Sequence, residues 1–292
     1  MKENIKEFIL LISFLIISLS ISGQKKYALL VGISNYHSVD PETEWNNIHG
    51  VNDINLIEPV LDKQGFKINK IIDSSATKAN IIKHLRMLVS KVTKNSVVYI
   101  HFSTHGQPFE DQNGDESDGW DESIVPVDAS IEYIKGKYEG NNHLLDDELN
   151  EITEQIRSKI GKNGHLYVVI DACHAGRASR DLEELSITRG TKRGFSPSGK
   201  TYRAKREVST HYNLSSSPSK SPVTYLEACG NTQRNVEIKR NGTYYGPLSF
   251  YIAVILSSYN LHSDNGWVFK VKKMMSGDVN LINQNMVIET SE

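Results

Sequence analysis

Cysteine is almost missing from this 292-residue chain, which holds only Cys173 and Cys229. At most one bridge can form, so the protein is not a disulfide-stapled scaffold and has to draw its stability from a core. Cys-x-x-Cys and His-Glu-x-x-His spacings are missing as well, which speaks against zinc. His101, His105, Cys173 and His174 come near one another only through the fold, and His101 and His105 sit at a strand end rather than on a helix. There is no surplus of either charge. Lys and Arg number 33 against 35 Asp and Glu, a net of −2, and setting aside residues 1–23 removes two of each sign. That balance gives no electrostatic case for nucleic acid. A long hydrophobic span is also lacking: the apolar run from Phe8 to Ile21 falls short of the about 20 residues that cross a bilayer. No internal repeat occurs.

That short run has another use. Lys2 and Lys6 precede it and the small residues Ser20, Ser22 and Gly23 end it, the charged, apolar and small-residue order of a secretory signal. Residues 1–23 are therefore expected to be a signal peptide, with an uncleaved anchor as the alternative. The expected location is periplasmic or secreted, without stable membrane insertion after cleavage. Residues 24–292 read as one domain.

Within it, apolar strands and amphipathic helices alternate. Residues 27–33, 66–72, 97–102, 166–170 and 223–228 read as strands. Helical spacing runs from Asp53, with Pro59 limiting it, and then over 77–92, 146–160 and 247–258. Thr77 is a candidate N-cap, and the acidic first turn of 146–160 suits the helix dipole. This order predicts an α/β fold, doubly wound around a mostly parallel sheet. Two stretches interrupt it. Residues 107–143 are partly hairpin-like, and 110–122 hold seven carboxylates and no base. Residues 177–222 are Ser-rich and basic, ten Lys or Arg against four Asp or Glu. A loop that long inside a compact domain is functional or disordered.

His105 and Cys173 each follow an apolar strand directly. If the two strands are parallel neighbours, both side chains emerge at one edge of the sheet, where ligands of open α/β sheets bind. An imidazole there can take the thiol proton, and the thiolate is the nucleophile. Gly106 leaves room for its N–H to hold a developing oxyanion. Alone, His105 would be a chance strand end and Cys173 a small buried hydrophobe; the equivalence of their positions favours catalysis. His174 reads as part of the turn, facing away from the nucleophile. Cys229 reads as core rather than as a disulfide partner of Cys173.

HFSTHGQ followed by VVIDACHAG resembles the caspase-like cysteine peptidases, and within them the metacaspases and their bacterial relatives. The resemblance extends over YALLVGISNY, VNDINLI, DESIVPVD, LLDDEL, ACGNTQRNVEI and NQNMVIE. It implies a caspase-like three-layer α/β/α sandwich, with His105 as general base and Cys173 as nucleophile. Asp53, Asp171 and Glu237 match the positions of an acidic first-subsite pocket, and Ser103 a polar lining residue. Such a pocket would accept Arg or Lys before the scissile bond, since buried carboxylates need a cationic or hydrogen-bonding partner. Each acid also has a plainer reading: Asp53 as a helix cap, Asp171 as a brace of the catalytic loop, Glu237 as a surface charge. Glu237 departs from the commoner Asp, and Gly50 stands where many relatives have Cys, which touches the pocket's shape more than its sign.

Metal is a further expectation. Asp111, Asn113, Asp115, Ser117 and Glu122 have EF-hand spacing, but Glu116 occupies the required glycine position and a strand precedes them, so that motif is rejected. The resemblance implies a different calcium site at Asp121, Asp146, Asp147 and Asp181, of hard oxygen ligands that suit calcium. Asp146 and Asp147 could instead be helix-cap and first-turn acids. No organic cofactor is expected. Arg180, Arg189, Lys192, Arg193, Lys200, Arg203, Lys205 and Arg206 are residue types the pocket would accept, so self-cleavage within 177–222 is expected, against the alternative of a solvated insertion. Together these readings give an exported, calcium-dependent, self-processing cysteine endopeptidase acting on proteins or peptides, and a monomer. The alternatives are a caspase-like scaffold or binding module, or a gingipain-like or clostripain-like peptidase.

Overall fold

Successive residues of a strand point to opposite faces, and residues 27–31 are apolar on both, so that strand has to be covered on both sides. In the computed structural model, which describes residues 24–114, 116, 118–173, 186–191, 193–203, 214, 216–261 and 265–291, it is. The chain runs through β1 (Lys26–Gly32), α1 (Gly50–Lys63), β2 (Lys67–Ile72), α2 (Lys78–Lys91) and β3 (Val97–Ser103). It continues with β4 (His105–Glu110), β5 (Trp120–Val125), β6 (Leu144–Leu145), α3 (Asp146–Ile160), β7 (His165–Asp171) and β8 (Val223–Glu227). The last part holds β9 (Ile238–Arg240), β10 (Thr243–Tyr245), α4 (Pro247–Leu256), α5 (Gly266–Ser276) and β11 (Val287–Thr290).

Six strands form the central sheet in the order β11-β8-β7-β3-β1-β2. The pairs β1–β2, β1–β3, β3–β7 and β7–β8 are parallel, and β11 closes the edge antiparallel to β8. One face packs Leu29, Val31, Ile100 and Val168 against Ile81 and Leu85 of α2 and Ile152 and Ile156 of α3. The other packs Leu30, Tyr99 and Val169 against Ile54 and Ile57 of α1, Ile252 of α4 and Val268 of α5. The result is the expected three-layer sandwich. β2 and β3 flank β1 on opposite sides, so the winding reverses between β1 and β3, where open α/β sheets bind ligands beyond the strand ends.

Several expectations shift. The first helix starts at Gly50 and continues through Pro59 to Lys63; burial of Ile57 and Leu61 outweighs the one backbone bond that proline forfeits. Thr77 does cap α2, its hydroxyl accepting from Asn80 N–H at 3.3 Å. At α3 the cap position is Leu145, whose N–H is taken by Glu148, so Asp146 begins the helix rather than capping it. The hairpin-like character expected of residues 107–143 is there, and it goes further: they build most of a three-stranded antiparallel sheet, β4-β5-β6, on the site side of the fold. Residues 1–23, Asp115, Ser117, His174, Arg180, Asp181, Lys192, Lys205 and Arg206 lie outside the described residues. Among the described residues no helix is long and apolar enough to cross a membrane.

Gly50 sits where the fold leaves no room for a side chain. A Cβ at this position would stand 2.3 Å from the Ser103 carbonyl oxygen and 2.6 Å from that of Ile33. Both are backbone atoms of the packed sheet edge and cannot swing aside. Gly50→Ala is expected to lower the unfolding free energy by about 1–3 kcal/mol, the range for overpacking a core. Urea titration checks this; an unchanged midpoint would refute the tight contact.

Candidate active site

Ser103 of β3 and Asp171 of β7 are direct partners in the parallel register. Two residues beyond each, His105 and Cys173 leave the same edge of the sheet. The His105 backbone N–H donates to the Tyr36 hydroxyl at 2.7 Å, and Tyr36 in turn donates to the Val125 carbonyl at 3.1 Å. The imidazole stacks on Trp45, with centroids 4.7 Å apart, and Nε2 lies 2.8 Å from the Asn46 carbonyl. A carbonyl only accepts, so Nε2 carries the hydrogen and Nδ1 keeps its lone pair. Nδ1 is buried without a hydrogen-bond partner, the arrangement of a base waiting for a proton. Burial above all pushes the ring down to about 4, the Asn46 carbonyl opposing it and Arg189 adding to it. The ring is therefore neutral at pH 7.

The Cys173 thiol donates to the Gln233 carbonyl at 2.9 Å. Cys229 is buried beside it, its sulfur 3.8 Å from the same carbonyl, and both cysteines are free thiols. Contact with Cys173 and then burial hold the Cys229 thiol well above its usual range. Cys229 thus packs as a protonated core residue.

The expected pocket acids converge on one cation, Arg189. Its guanidinium is fully buried; Nη1 donates to Asp53 at 2.6 Å and to the Ser103 hydroxyl at 2.7 Å, while Nη2 and Nε donate to Glu237 at 2.8 and 3.1 Å. Asp171 Oδ1 is 3.7 Å away. The remaining carboxylate oxygens are held by the fold. Asp53 accepts from Gly246 N–H, Asp171 from Asn235 and from Ser249 N–H and hydroxyl, and Glu237 from His49. Burial raises the Asp53 carboxyl to about 7, against the pull of Arg189. The permanent charge of Arg189, driven further up by Asp53, Asp171 and Glu237, is what such a carboxylate needs to stay ionised. None of the three acids is a helix cap or a surface charge.

The backbone of Arg189 is held equally closely. Its carbonyl oxygen accepts from Cys173 N–H at 2.8 Å and from Gly106 N–H at 3.3 Å. Upstream, residues 187–189 lie antiparallel to 235–237, with Arg189 N–H on the Asn235 carbonyl and Glu237 N–H on that of Ile187. Downstream, Gly190 sits against Cys173, where an added Cβ would meet the Cys173 carbonyl oxygen at 2.0 Å.

Three of the four expected calcium ligands are described. Asp146 is 8 % exposed and its Oδ1 has no hydrogen-bond partner. Burial, followed by Glu122, Asp121 and Asp147, pushes its carboxyl up to about 9. Asp147 accepts from Asn113 at 2.7 Å. As placed, no group of three or more His, Cys, Asp or Glu among the described residues could hold a metal ion. The donor chemistry fits a hard cation; the geometry among these three falls short of a ligand set.

Sequence reasoning did not name Tyr36, Trp45, Asn46, Gln233, Asn235 or Ser249. Asn46 and Gln233 act through backbone carbonyls, which leave no mark in side-chain identity. Tyr36 ends YALLVGISNY, and Gln233 and Asn235 lie in ACGNTQRNVEI, both stretches that the sequence singles out without marking these residues.

Residues 26–182 match the family described as metacaspase, peptidase C14 domain. Metacaspase-1 of Eremothecium gossypii is 32% identical over 180 residues, 58% of this chain and 35% of that one. Metacaspase-1 of Candida albicans is 26% identical over 282 residues, 81% of this chain and 58% of that one. The chain therefore spans between about a third and three fifths of the length of these curated relatives. A crystal structure of a Geobacter sulfurreducens protein, 19% identical, superposes with a TM-score of 0.62 over 91% of this chain and 93% of that one, a likeness of fold. The family match covers more than half of the chain and includes both strand ends that carry His105 and Cys173: this protein belongs to the metacaspases of peptidase family C14.

Proposed function

We propose that this protein is a cysteine endopeptidase that cuts after Arg, less readily after Lys, and that it first cuts its own Arg189–Gly190 bond. One observation carries the reading: Arg189 fills the three-acid pocket while its carbonyl oxygen accepts from Cys173 and Gly106 N–H. That is the seating of a residue before a scissile bond, with the carbonyl polarised by two backbone donors. The pocket engages a guanidinium from two sides, Asp53 and Glu237. The compact ammonium of Lys lacks the planar fork that such spacing rewards.

Burial disfavours the imidazolium, so the pair rests as neutral thiol and neutral imidazole, and the proton moves as sulfur attacks. His105 Nδ1 takes the thiol proton while sulfur bonds to the Arg189 carbonyl carbon. The Cys173 and Gly106 N–H groups hold the oxyanion. The C–N bond to Gly190 then breaks, with the His105 proton passing to the Gly190 nitrogen. Water, deprotonated by His105, hydrolyses the thioester and releases the Arg189 carboxylate and the Cys173 thiol.

The signal-like residues 1–23 support an exported enzyme. Calcium is a second element of the reading, supported by the orphaned Asp146 Oδ1 among Asp121, Glu122 and Asp147. Asp121, Asp146 and Asp147 are the described candidates for holding the ion, and as placed they do not form a ligand set. Bound there, it would neutralise the cluster beside β5 and α3.

Three outcomes follow. Purified wild type is expected to yield a fragment beginning at Gly190, detected by gel and N-terminal sequencing, and to prefer peptide amides ending in Arg over Lys, with Asp inert. Cys173→Ala is expected to stay intact and inactive; preferential turnover of the Asp amide, or fragments from Cys173→Ala, would sink the reading. The active form of His105 is neutral and its lowered value is about 4. Self-cleavage should therefore persist on acidification to about pH 5 and be lost as pH falls through about 4; loss centred near 6.5, the ordinary histidine value, would contradict the buried geometry. Chelator is expected to suppress self-cleavage and added calcium to restore it, and indifference to both removes calcium from the reading.

A further inference from the structure

The chain beyond Gly190 is held as deliberately as the chain before it. It follows the free edge of β4, in parallel: Gly190 bridges Gly106, Phe195 bridges Phe109, Phe195 N–H donates to the Pro108 carbonyl at 2.8 Å and Glu110 N–H to that of Phe195 at 2.9 Å. Gln107 donates to the Arg193 carbonyl at 2.9 Å. This is strand addition, in which backbone bonds supply affinity and side-chain pockets supply choice.

One such pocket is conspicuous in its chemistry. Phe195 is fully buried, stacked on Phe109 with centroids 4.8 Å apart, flanked by His143 at 4.7 Å and met edge-on by Tyr138 at 5.7 Å and Tyr133 at 6.1 Å. Gly140 closes the floor with φ +96°, and a Cβ there would come within 2.7 Å of both phenyl rings. All the walls come from β4 and the stretch between β5 and α3, and only the occupant comes from the segment that carries the cut. Past the cage, Glu110 accepts from Ser196 and Ser198.

The geometry points to an extended primed-side subsite. The groove along β4 takes a polypeptide with glycine directly after the cleaved Arg and an aromatic side chain five residues beyond that glycine, and Phe195 is its resident occupant. The inference rests on the peptidase reading and specifies its substrate class as Arg-Gly followed by four residues and an aromatic. Glycine is required because a Cβ at 190 would stand 2.0 Å from the Cys173 carbonyl oxygen. The aromatic is required because its loss would leave an apolar cage facing water. The cage does not touch the reacting atoms, so its effect belongs in KM rather than kcat.

The test uses wild-type enzyme that has completed self-cleavage and three internally quenched peptides. One copies residues 186–197, the second has Ala in place of Phe195, and the third has Tyr there. A short Arg amide without primed residues serves as reference. Replacing Phe by Ala is expected to raise KM about tenfold or more, the scale of exposing a phenyl group, with Tyr restoring it and the short amide unaffected by the comparison. In the full chain, Phe195→Ala is expected to slow self-cleavage by a similar factor and Phe195→Tyr to preserve it, which separates the cage from general misfolding. Equal KM for the Phe and Ala peptides, or wild-type self-cleavage by Phe195→Ala, overturns the subsite while the short amide is still cut. Failure to cut the short amide at all falls on the peptidase reading instead.

Discussion

Three carboxylates share one water-excluded pocket, and that concentration of charge has to be answered by a cation. Asp53 comes from the first turn of α1, Asp171 from the end of β7 and Glu237 from just before β9, so the pocket joins parts of the chain far apart in sequence. Asp53 and Asp171 are also tied to the start of α4 through Gly246 and Ser249, Asp171 further to Asn235, and Glu237 to His49. Removing a single partner from such a buried set leaves an uncompensated charge, which is why these arrangements resist piecemeal change. Arg189 completes the network from within the same chain. A tethered occupant competes with free peptides at a high effective concentration. The pocket that would select a substrate thus also keeps the resting site closed.

The position of this network follows from the winding of the sheet. Reversal between β1 and β3 opens a crevice at the strand ends, and β7 lies next in line. Because β3 and β7 are parallel and in register, the acid at 171 and the hydroxyl at 103 share one face, and the base and thiol follow them out of the sheet. The antiparallel sheet β4-β5-β6 then extends one wall away from the crevice. Its first strand begins at His105 itself, so the base and the groove edge are one continuous piece of backbone.

The base and the thiol were legible because both end uninterrupted apolar strands, a pattern that local sequence displays directly. The pocket acids were legible only through the family resemblance, since an isolated Asp carries no sign of its partners. Arg189 was visible as one of eight candidate bases and could not be singled out. Its selection depends on tertiary register, with the carbonyl meeting the N–H groups of Cys173 and Gly106. The three-stranded sheet showed in the sequence only as a hairpin-like stretch, for local reasons: β4 contains Gly106 and Pro108, which read against a strand, and proline is tolerated there because β4 is an edge. Helix α5 was missed because Gly266 opens it and no side chain caps it.

The placement of the linker decides what the molecule would become if the proposed cut were made. That linker joins β7 to β8, and these two strands are immediate parallel neighbours within the sheet. Cutting between them would divide the central sheet between the two pieces. Of the central sheet the N-terminal piece would keep β2, β1, β3 and β7, and the C-terminal piece β8 and its antiparallel partner β11, alongside β9, β10, α4 and α5. The fragments would stay joined through the β7–β8 ladder and the buried faces of α4 and α5, as a two-chain assembly. Unfolding, a one-body event in the intact chain, would become a dissociation in the cut one, whose stability would then depend on its own concentration.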